Sequence, residues 1–142
     1  SADRSIKVWN LNGELVRSFN HHTESVQTLA VRPRNENGAL ECASGSDDGT
    51  VRIWQPAIGR MVRIIRGHDG PVFALAYTPG GDALFSAGKE GIIRRLDVES
   101  DQILKSFAPK SDVIYSLAIS PNGEKLASGD WQGNVKIITL SK

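Results

Sequence analysis

The sequence predicts an all-β fold built from one four-stranded unit that repeats along the chain. Three observations support this prediction. Short β-forming segments recur at a nearly constant spacing, turn-forming Gly, Pro and Asn residues separate them, and no stretch shows helical periodicity over a useful length. Gly accounts for 14 of the 142 residues and is spread along the chain, as many tight turns would require.

The clearest repeat begins with an acidic or amide residue, continues with a small or polar residue and then alternates apolar and basic side chains. Its four copies follow one another at offsets of 45, 42 and 42 residues: Asp3–Asn10, Asp48–Gln55, Glu90–Asp97 and Gln132–Thr139. Three more families of segment lie between these copies. They are an apolar segment (26–33, 72–79, 114–121), a segment rich in small residues (39–46, 82–89, 124–131) and a second alternating segment (14–19, 60–65, 102–107).

Four short strands in every ~40–45 residues predict the blades of a β-propeller. We name the strands a, b, c and d in chain order from Val26. Strand a is nearly all apolar and is expected to be innermost and buried on both faces, whereas strand d alternates like an outer edge. The chain, 1–142, then divides into strands c and d of one blade, two full blades and a blade without strand d (1–20, 21–66, 67–108, 109–142).

The charge balance argues against two classes of partner. The 17 basic and 16 acidic residues give a net charge of +1, so neither nucleic acid nor a membrane surface is an expected partner. No apolar run approaches the length of a transmembrane helix. Cys42 is the sole cysteine, which excludes an internal disulfide, and it is expected to be a small buried hydrophobic residue. These features leave the compartment open, although the cytoplasm is favoured.

One stretch, "GSDDGTVRIW", contains residue types that fit two different sites. Ser44, Asp48 and Trp54 lie close together in sequence, and His22 lies upstream. A hydrolase uses Ser, His and Asp as a catalytic triad, which occurs once and stands exposed in a cleft. A structural hydrogen-bond network would instead recur at the same strand positions. The pattern recurs here, so we expect a structural network and no enzymatic activity.

With these segments in view, the chain resembles the WD-repeat β-propeller family. "RGHDGPV" resembles the Gly-His motif of that family, and "SGSDDGTVRIW" resembles its Ser-Gly-Ser…Asp…Trp segment. The resemblance covers essentially the whole chain. The literal Trp-Asp pair of the family is absent from all four copies, which have Trp9-Asn10, Trp54-Gln55, Leu96-Asp97 and Ile138-Thr139.

The resemblance implies a structural tetrad of His, Ser or Thr, Asp and Trp that ties the turn before strand a to strands b and c. A buried Asp needs donors, which His and Ser supply, and Trp adds apolar area and one N–H. The implied members are His22, Ser44, Asp48 and Trp54 in the second unit and His68, Ser86 and Glu90, with Leu96 in place of Trp, in the third. The first unit keeps Asp3 and Trp9.

The last unit departs furthest from the tetrad. It keeps Ser128 but has Lys110, Gln132 and Ile138 at the other three positions. Losing such a buried network typically costs a few kcal/mol. We therefore expect this blade to be the least stable.

No cofactor or metal is expected from the remaining motifs. His21, His22 and Glu24 are close enough in sequence to suggest metal ligands. His22 is better explained as a tetrad member, and the other two as residues of a solvated loop. Asp47 and Asp48 lack the spaced oxygen ligands of a calcium loop. No phosphate-binding loop or dinucleotide motif follows a strand.

The resemblance also implies that the d–a and b–c loops share one face of the disc, which binds partners in such propellers. The candidate partner-binding residues on that face are Trp131, Lys89, Asp47, Glu24 and Asp112. Trp131 is the best anchor, because Trp is enriched at interface hot spots. The alternative is that Trp131 folds onto the neighbouring blade. The other positions fit ordinary solvated loops better than a binding role.

The function predicted from these observations is a non-catalytic scaffold that binds a protein or peptide through this face. Two alternatives remain: a purely structural arc that helps to close a larger propeller, and an enzyme or sensor with a ligand site on the ring axis. About three blades leave apolar faces and strand edges to be covered, since such propellers close with roughly seven. The remaining blades are expected from a longer chain, which the start without Met favours, or from a homo-oligomer.

Overall fold

The computed structural model describes residues 1–33, 38–109 and 111–140. The long loop predicted at 32–39 and the tetrad position Lys110 fall partly or wholly outside these residues. Within the described residues every regular element is a β-strand. The thirteen strands are β1 (Ile6–Trp9), β2 (Leu15–Phe19), β3 (Val26–Val31), β4 (Cys42–Ser46), β5 (Val51–Gln55), β6 (Arg60–Ile65), β7 (Val72–Tyr77), β8 (Ala83–Gly88), β9 (Ile93–Asp97), β10 (Ile103–Phe107), β11 (Ile114–Ile119), β12 (Lys125–Asp130) and β13 (Val135–Thr139).

The strands form four antiparallel sheets, each with its strands in sequence order. β1 pairs with β2, β3 to β6 and β7 to β10 form four-stranded sheets, and β11 to β13 form a three-stranded sheet. The first strands of neighbouring sheets, β3, β7 and β11, pack side by side. Local hairpins therefore build each blade, and contacts between the inner strands assemble the blades into an open arc.

Glycine allows the tight turn between strands b and c in three blades. Gly49, Gly91 and Gly133 have φ values of 75°, 68° and 83°, a region that costs other residues free energy. A Cβ atom at Gly91 would collide with the backbone oxygens of Ser111 and Asp112, which lead into the next blade. The turns at Gly49 and Gly91 consequently approach the following blade closely.

The core lies between blades rather than within any one of them. Val51 and Ile53 of β5 pack in one cluster with Leu75 and Leu84 of the next sheet. A second cluster joins the third and fourth sheets in the same way: Phe85, Ala87, Ile93, Ile114 and Leu126. Since each strand presents one face to each neighbouring blade, a blade buries both of its faces only when both neighbours are present.

The inner strands differ from the prediction that they are buried on both faces. β7, which lies between two blades, is mostly buried, whereas alternate residues of β3 and β11 are exposed. Leu29 and Val31 of β3 are 56% and 65% exposed because the β1–β2 sheet, which packs on that side through Ile6 and Phe19, has only two strands. The inner strand is thus buried only where a neighbouring blade flanks it on each side.

Candidate partner-binding face and its structural tetrads

The second unit contains a continuous chain of hydrogen bonds through four side chains. His22 Nδ1 lies 2.7 Å from Asp48 Oδ2, and His22 Nε2 lies 2.7 Å from Ser44 Oγ. Trp54 Nε1 donates to the same Ser44 Oγ at 2.8 Å. One neutral tautomer satisfies every bond: Nδ1–H donates to the carboxylate, and Nε2 accepts from the hydroxyl, which accepts from the indole.

The electrostatics of this unit favour a neutral imidazole beside an ionised carboxylate. Burial lowers the pKa of His22. The hydrogen bond and the charge of Asp48 raise it, but by less than burial lowers it. Burial would raise the pKa of Asp48, but donors from Thr50, His22 and the backbone N–H of Thr23 lower it to about 2. The pair is therefore a charge-assisted hydrogen bond and not an imidazolium ion pair at neutral pH.

The third unit keeps the two hydrogen bonds of the histidine but has no tryptophan. His68 Nδ1 lies 2.7 Å from Glu90 Oε1, and His68 Nε2 lies 2.7 Å from Ser86 Oγ. Leu96 occupies the tryptophan position and is buried in the cluster between blades. Ser86 thus loses the indole donor, while the apolar part of the contact is kept.

A basic residue four positions after the acid belongs to the same network, and sequence reasoning missed this role. Arg94 binds Glu90 through both terminal nitrogens, and Lys7 Nζ lies 2.8 Å from Asp3 Oδ2. Arg52 is buried and approaches Asp48 to 3.7 Å. The signal was the alternation of basic and apolar residues along strand c, which was used above only to identify the repeat.

The first and last units carry only parts of this network. Asp3 accepts from the hydroxyl of Ser5 at 2.6 Å and is held by Lys7, whereas Trp9 is 56% exposed. In the last unit Ser128 is buried, but Gln132 turns outward and donates to Asp112 Oδ2 at 3.3 Å. In both units the residue at the acid position is itself exposed.

One backbone hydrogen bond recurs in three blades and joins the b–c turn to the segment before strand a. The N–H of Asp47 donates to Ser25 O at 3.0 Å, and that of Lys89 donates to Pro71 O at 3.0 Å. The N–H of Trp131 donates to Val113 O at 2.8 Å. We call the surface made by the described residues of the d–a segments (20–25, 66–71, 108–109 and 111–113) and the b–c turns (47–50, 89–92, 131–134) the loop face.

The five predicted partner-binding residues differ in their exposure on the loop face. Glu24, Lys89 and Asp112 are exposed. Asp47 is half-buried and accepts a hydrogen bond from Gln27 at 2.9 Å. Trp131 is 71% exposed in this arc and lies beside Tyr115 of the same sheet.

Two aromatic residues beside Trp131 were not predicted as site residues. Tyr115 lies 5.9 Å from Trp131 between ring centroids, and Phe73 stacks on Tyr115 at 4.9 Å with an interplanar angle of 19°. Both follow the first residue of an inner strand, as does Gln27. The shared position in the inner strands is the sequence feature from which these two aromatic residues could have been predicted.

The buried networks are unsuited to catalysis. Ser44 has no exposed surface, and its oxygen already accepts the Trp54 N–H, so no substrate can reach it. Burial raises the pKa of the half-buried Cys42 thiol to about 11, which makes it a poor nucleophile.

Among residues 1–33, 38–109 and 111–140, no group of three or more metal-binding side chains converges. In the same part of the chain, no helix could span a membrane.

Four-stranded blades, packed through their inner strands and pinned by His–Ser–acid networks, define an arc of a WD-type β-propeller. The family model described as "WD domain, G-beta repeat" matches residues 13–55, 59–95 and 101–139. The chain belongs to this family, and the resemblance inferred from the sequence is confirmed. Proteins of this family are typically non-catalytic scaffolds for protein interactions.

Individual relatives share the repeat but are much longer. The chain is 32% identical to small ribosomal subunit protein RACK1y of Oryza sativa subsp. japonica, over 99% of the chain and 43% of that protein. It is 31% identical to the periodic tryptophan protein 2 homolog of Dictyostelium discoideum, over 86% of the chain and 13% of that protein.

A solved structure shows the same fold. The WD40 β-propeller domain of Doa1 matches the whole chain with a TM-score of 0.86 and 25% identity, and the match covers 46% of that structure. The predicted fold class is therefore confirmed. The chain spans less than half the length of each of these three proteins.

Proposed function

We propose that this chain is a non-catalytic scaffold that binds a protein or peptide partner through the loop face. The observation that carries the proposal is the backbone hydrogen bond shared by three blades. It holds Asp47, Lys89 and Trp131 at equivalent places on one continuous surface. A surface whose backbone is fixed in advance loses little conformational entropy on binding.

The tetrads support this role from beneath the surface. In the second unit Asp48 accepts from the backbone N–H of Thr23 at 3.1 Å as well as from His22. The acid of the b–c turn therefore holds the d–a segment directly. Burial of these polar groups makes them supports for the surface, and leaves recognition to the exposed residues around them.

Trp131 is the residue on which most of the binding energy should depend. It is a large aromatic with 71% of its surface exposed, whereas a Trp without a partner is normally largely buried. Tryptophan is enriched among residues whose truncation costs an interface 2 kcal/mol or more, that is, roughly thirtyfold in affinity.

The experiment is a selection of random twelve-residue peptides displayed on phage against the immobilised chain. Phage that bind the Trp131→Ala variant are removed first, so that peptides bound elsewhere are discarded. We expect enriched peptides that lose about tenfold or more in affinity with Trp131→Ala and keep it with Ile58→Ala, since Ile58 is 62% exposed in a c–d turn away from the loop face. Failure to enrich any peptide sensitive to Trp131 would refute the proposal.

A purely structural role is the second candidate, and exposed apolar side chains at both ends of the arc favour it. Leu29 and Val31 are open at one end, and Val135 and Ile137 are 72% and 67% exposed at the other. Further blades, from a longer chain or a second copy, would cover these faces. Both roles can coexist, because the loop face and the blade faces are different surfaces.

A further inference from the structure

Trp131 of the loop face forms one row with two aromatic rings of the adjoining inner strands. Phe73 and Tyr115 stack nearly parallel, with 4.9 Å between their centroids, and Trp131 continues the row 5.9 Å from Tyr115. Tyr115 is 47% exposed and Trp131 71% exposed, while Phe73 is half-buried. We call these three residues the aromatic row.

Backbone irregularities place the row at the rim of the inner strands. The pairing register shifts between Val72 and Ala74 and between Ile114 and Ser116, so Phe73 and Tyr115 each occupy the extra position of a β-bulge. Bulges re-aim side chains away from the regular pleat. Because β7 and β11 pack side by side, two residues that are 42 positions apart in sequence become stacked neighbours.

The described part of the loop face, which includes Trp131, carries more acidic than basic side chains. Among the described residues of the loop face that lie outside the tetrads, four carboxylates are exposed or half-buried and two basic side chains are exposed. The carboxylates are Glu24, Asp47, Asp69 and Asp112, and the basic residues are Arg66 and Lys89. At the Trp131 end, Asp112 lies in the adjoining segment and Asp130 directly precedes the tryptophan.

We propose that the aromatic row takes an arginine or lysine side chain from an extended basic segment of the partner protein. This inference rests on the proposed function and specifies the partner of the same face. Aromatic faces attract cations through their quadrupole, with Trp the strongest, and nearby carboxylates add attraction without having to contact the ligand. An anionic segment would be repelled by those carboxylates.

The competing possibility is that the row is only an apolar patch, which would accept any hydrophobic side chain. The two possibilities differ in what a neutral side chain of similar length would do. Norleucine keeps the methylene chain of lysine and removes its charge. A cation-binding row loses affinity on that change, whereas an apolar patch gains affinity because no charge has to be desolvated.

The test uses the tightest peptide whose binding depends on Trp131, from the selection described above. Each basic position is replaced in turn by norleucine and by glutamate, and affinities for the chain are measured by fluorescence anisotropy. We expect one basic position at which norleucine weakens binding about fivefold and glutamate weakens it further. Tighter binding of norleucine peptides, or selected peptides without basic residues, would overturn the inference and leave the proposed function standing.

A paired substitution locates the cation on the row. Tyr115→Leu keeps an apolar side chain but removes the ring, so it should weaken the basic peptide about three- to fivefold and leave the norleucine peptide almost unchanged. Leu104→Ala, at a strand residue 55% exposed on the outer strand β10, is the matched control. Equal losses for both peptides would show that the ring acts only through apolar contact. Absence of any Trp131-dependent peptide would refute both proposals together.

Discussion

Ser44 illustrates how single residues support this fold. Its hydroxyl donates to His22 and accepts from Trp54, and the imidazole passes the network on to Asp48. Each group is buried or nearly so, and the Ser44 hydroxyl forms both of its hydrogen bonds within the network. A buried polar group left without its partner carries the full desolvation cost, so the network contributes most when it is complete.

Substitution of the acid should therefore have different effects in different blades. Asp48→Ala removes the acceptor of His22, Thr50 and the Thr23 N–H, and we expect it to lower the free energy of unfolding by about 2–4 kcal/mol. Gln132→Ala removes one exposed hydrogen bond and should cost less than about 1 kcal/mol. Urea denaturation of the two variants measures the difference. Equal midpoints would contradict the structural role of the tetrad.

The buried histidines should also make stability depend on pH. Burial lowers the pKa of His22 and, together with Arg94, that of His68 below the ordinary value of 6.5. Below pH 6.5 the unfolded chain therefore binds more protons at these rings than the folded chain does. The free energy of unfolding therefore falls as the pH is lowered from about 7 to about 5.

Urea denaturation at these two pH values measures that fall. A variant with both His22→Gln and His68→Gln should be less stable at pH 7 and should show a flatter pH profile. His21→Gln, which changes an exposed ring, should keep the profile of the parent chain. If the double variant retained the full pH dependence, the buried rings would not be its source.

Individual strands and turns show which local features depend on neighbouring blades. Gly91 and Gly133 both adopt left-handed φ values, as the short b–c turn demands. A side chain at Gly91 would strike backbone oxygens of the next blade, whereas one at Gly133 would meet no atom of the described residues within 4 Å. The same turn is therefore constrained by packing in one blade and only by its own backbone in another.

Alanine at the two glycines separates these contributions. Gly133→Ala should cost about 1–2 kcal/mol, the penalty of a left-handed conformation. Gly91→Ala adds a collision with backbone and should cost about 2–5 kcal/mol. Thermal and urea denaturation compare the two variants. A cost at Gly133 equal to or above that at Gly91 would mean that the packing of the turn against the next blade is not significant.

The whole molecule has two exposed blade faces, and this determines how it should behave in solution. Val135 and Ile137 lie on one face of β13, and Leu29 and Val31 lie on the opposite end of the arc. Apolar side chains in rows of this kind promote association, as do unpaired strand edges. The isolated chain should consequently form dimers or larger species that grow with concentration.

Light scattering after size exclusion, over a range of concentrations, tests this expectation. A variant with Val135→Thr and Ile137→Thr keeps β-branched side chains but makes the face polar, and its mass should shift towards the 15.4 kDa monomer. Lys125→Thr, at an exposed residue of β12, serves as the control. A parent chain that stays monomeric at the highest concentration would show that the exposed faces do not drive association.

The repeat spacing was sufficient to predict the fold class and the family, because strand alternation and turn residues are local properties of the chain. The His, Ser and acid positions could likewise be proposed from their recurrence. The aromatic row, the burial of Arg52 and Arg94, and the exposure of Leu29 could not be predicted in this way. Each arises where strands from different hairpins meet, and that meeting depends on how blades pack and on which faces lack a neighbour.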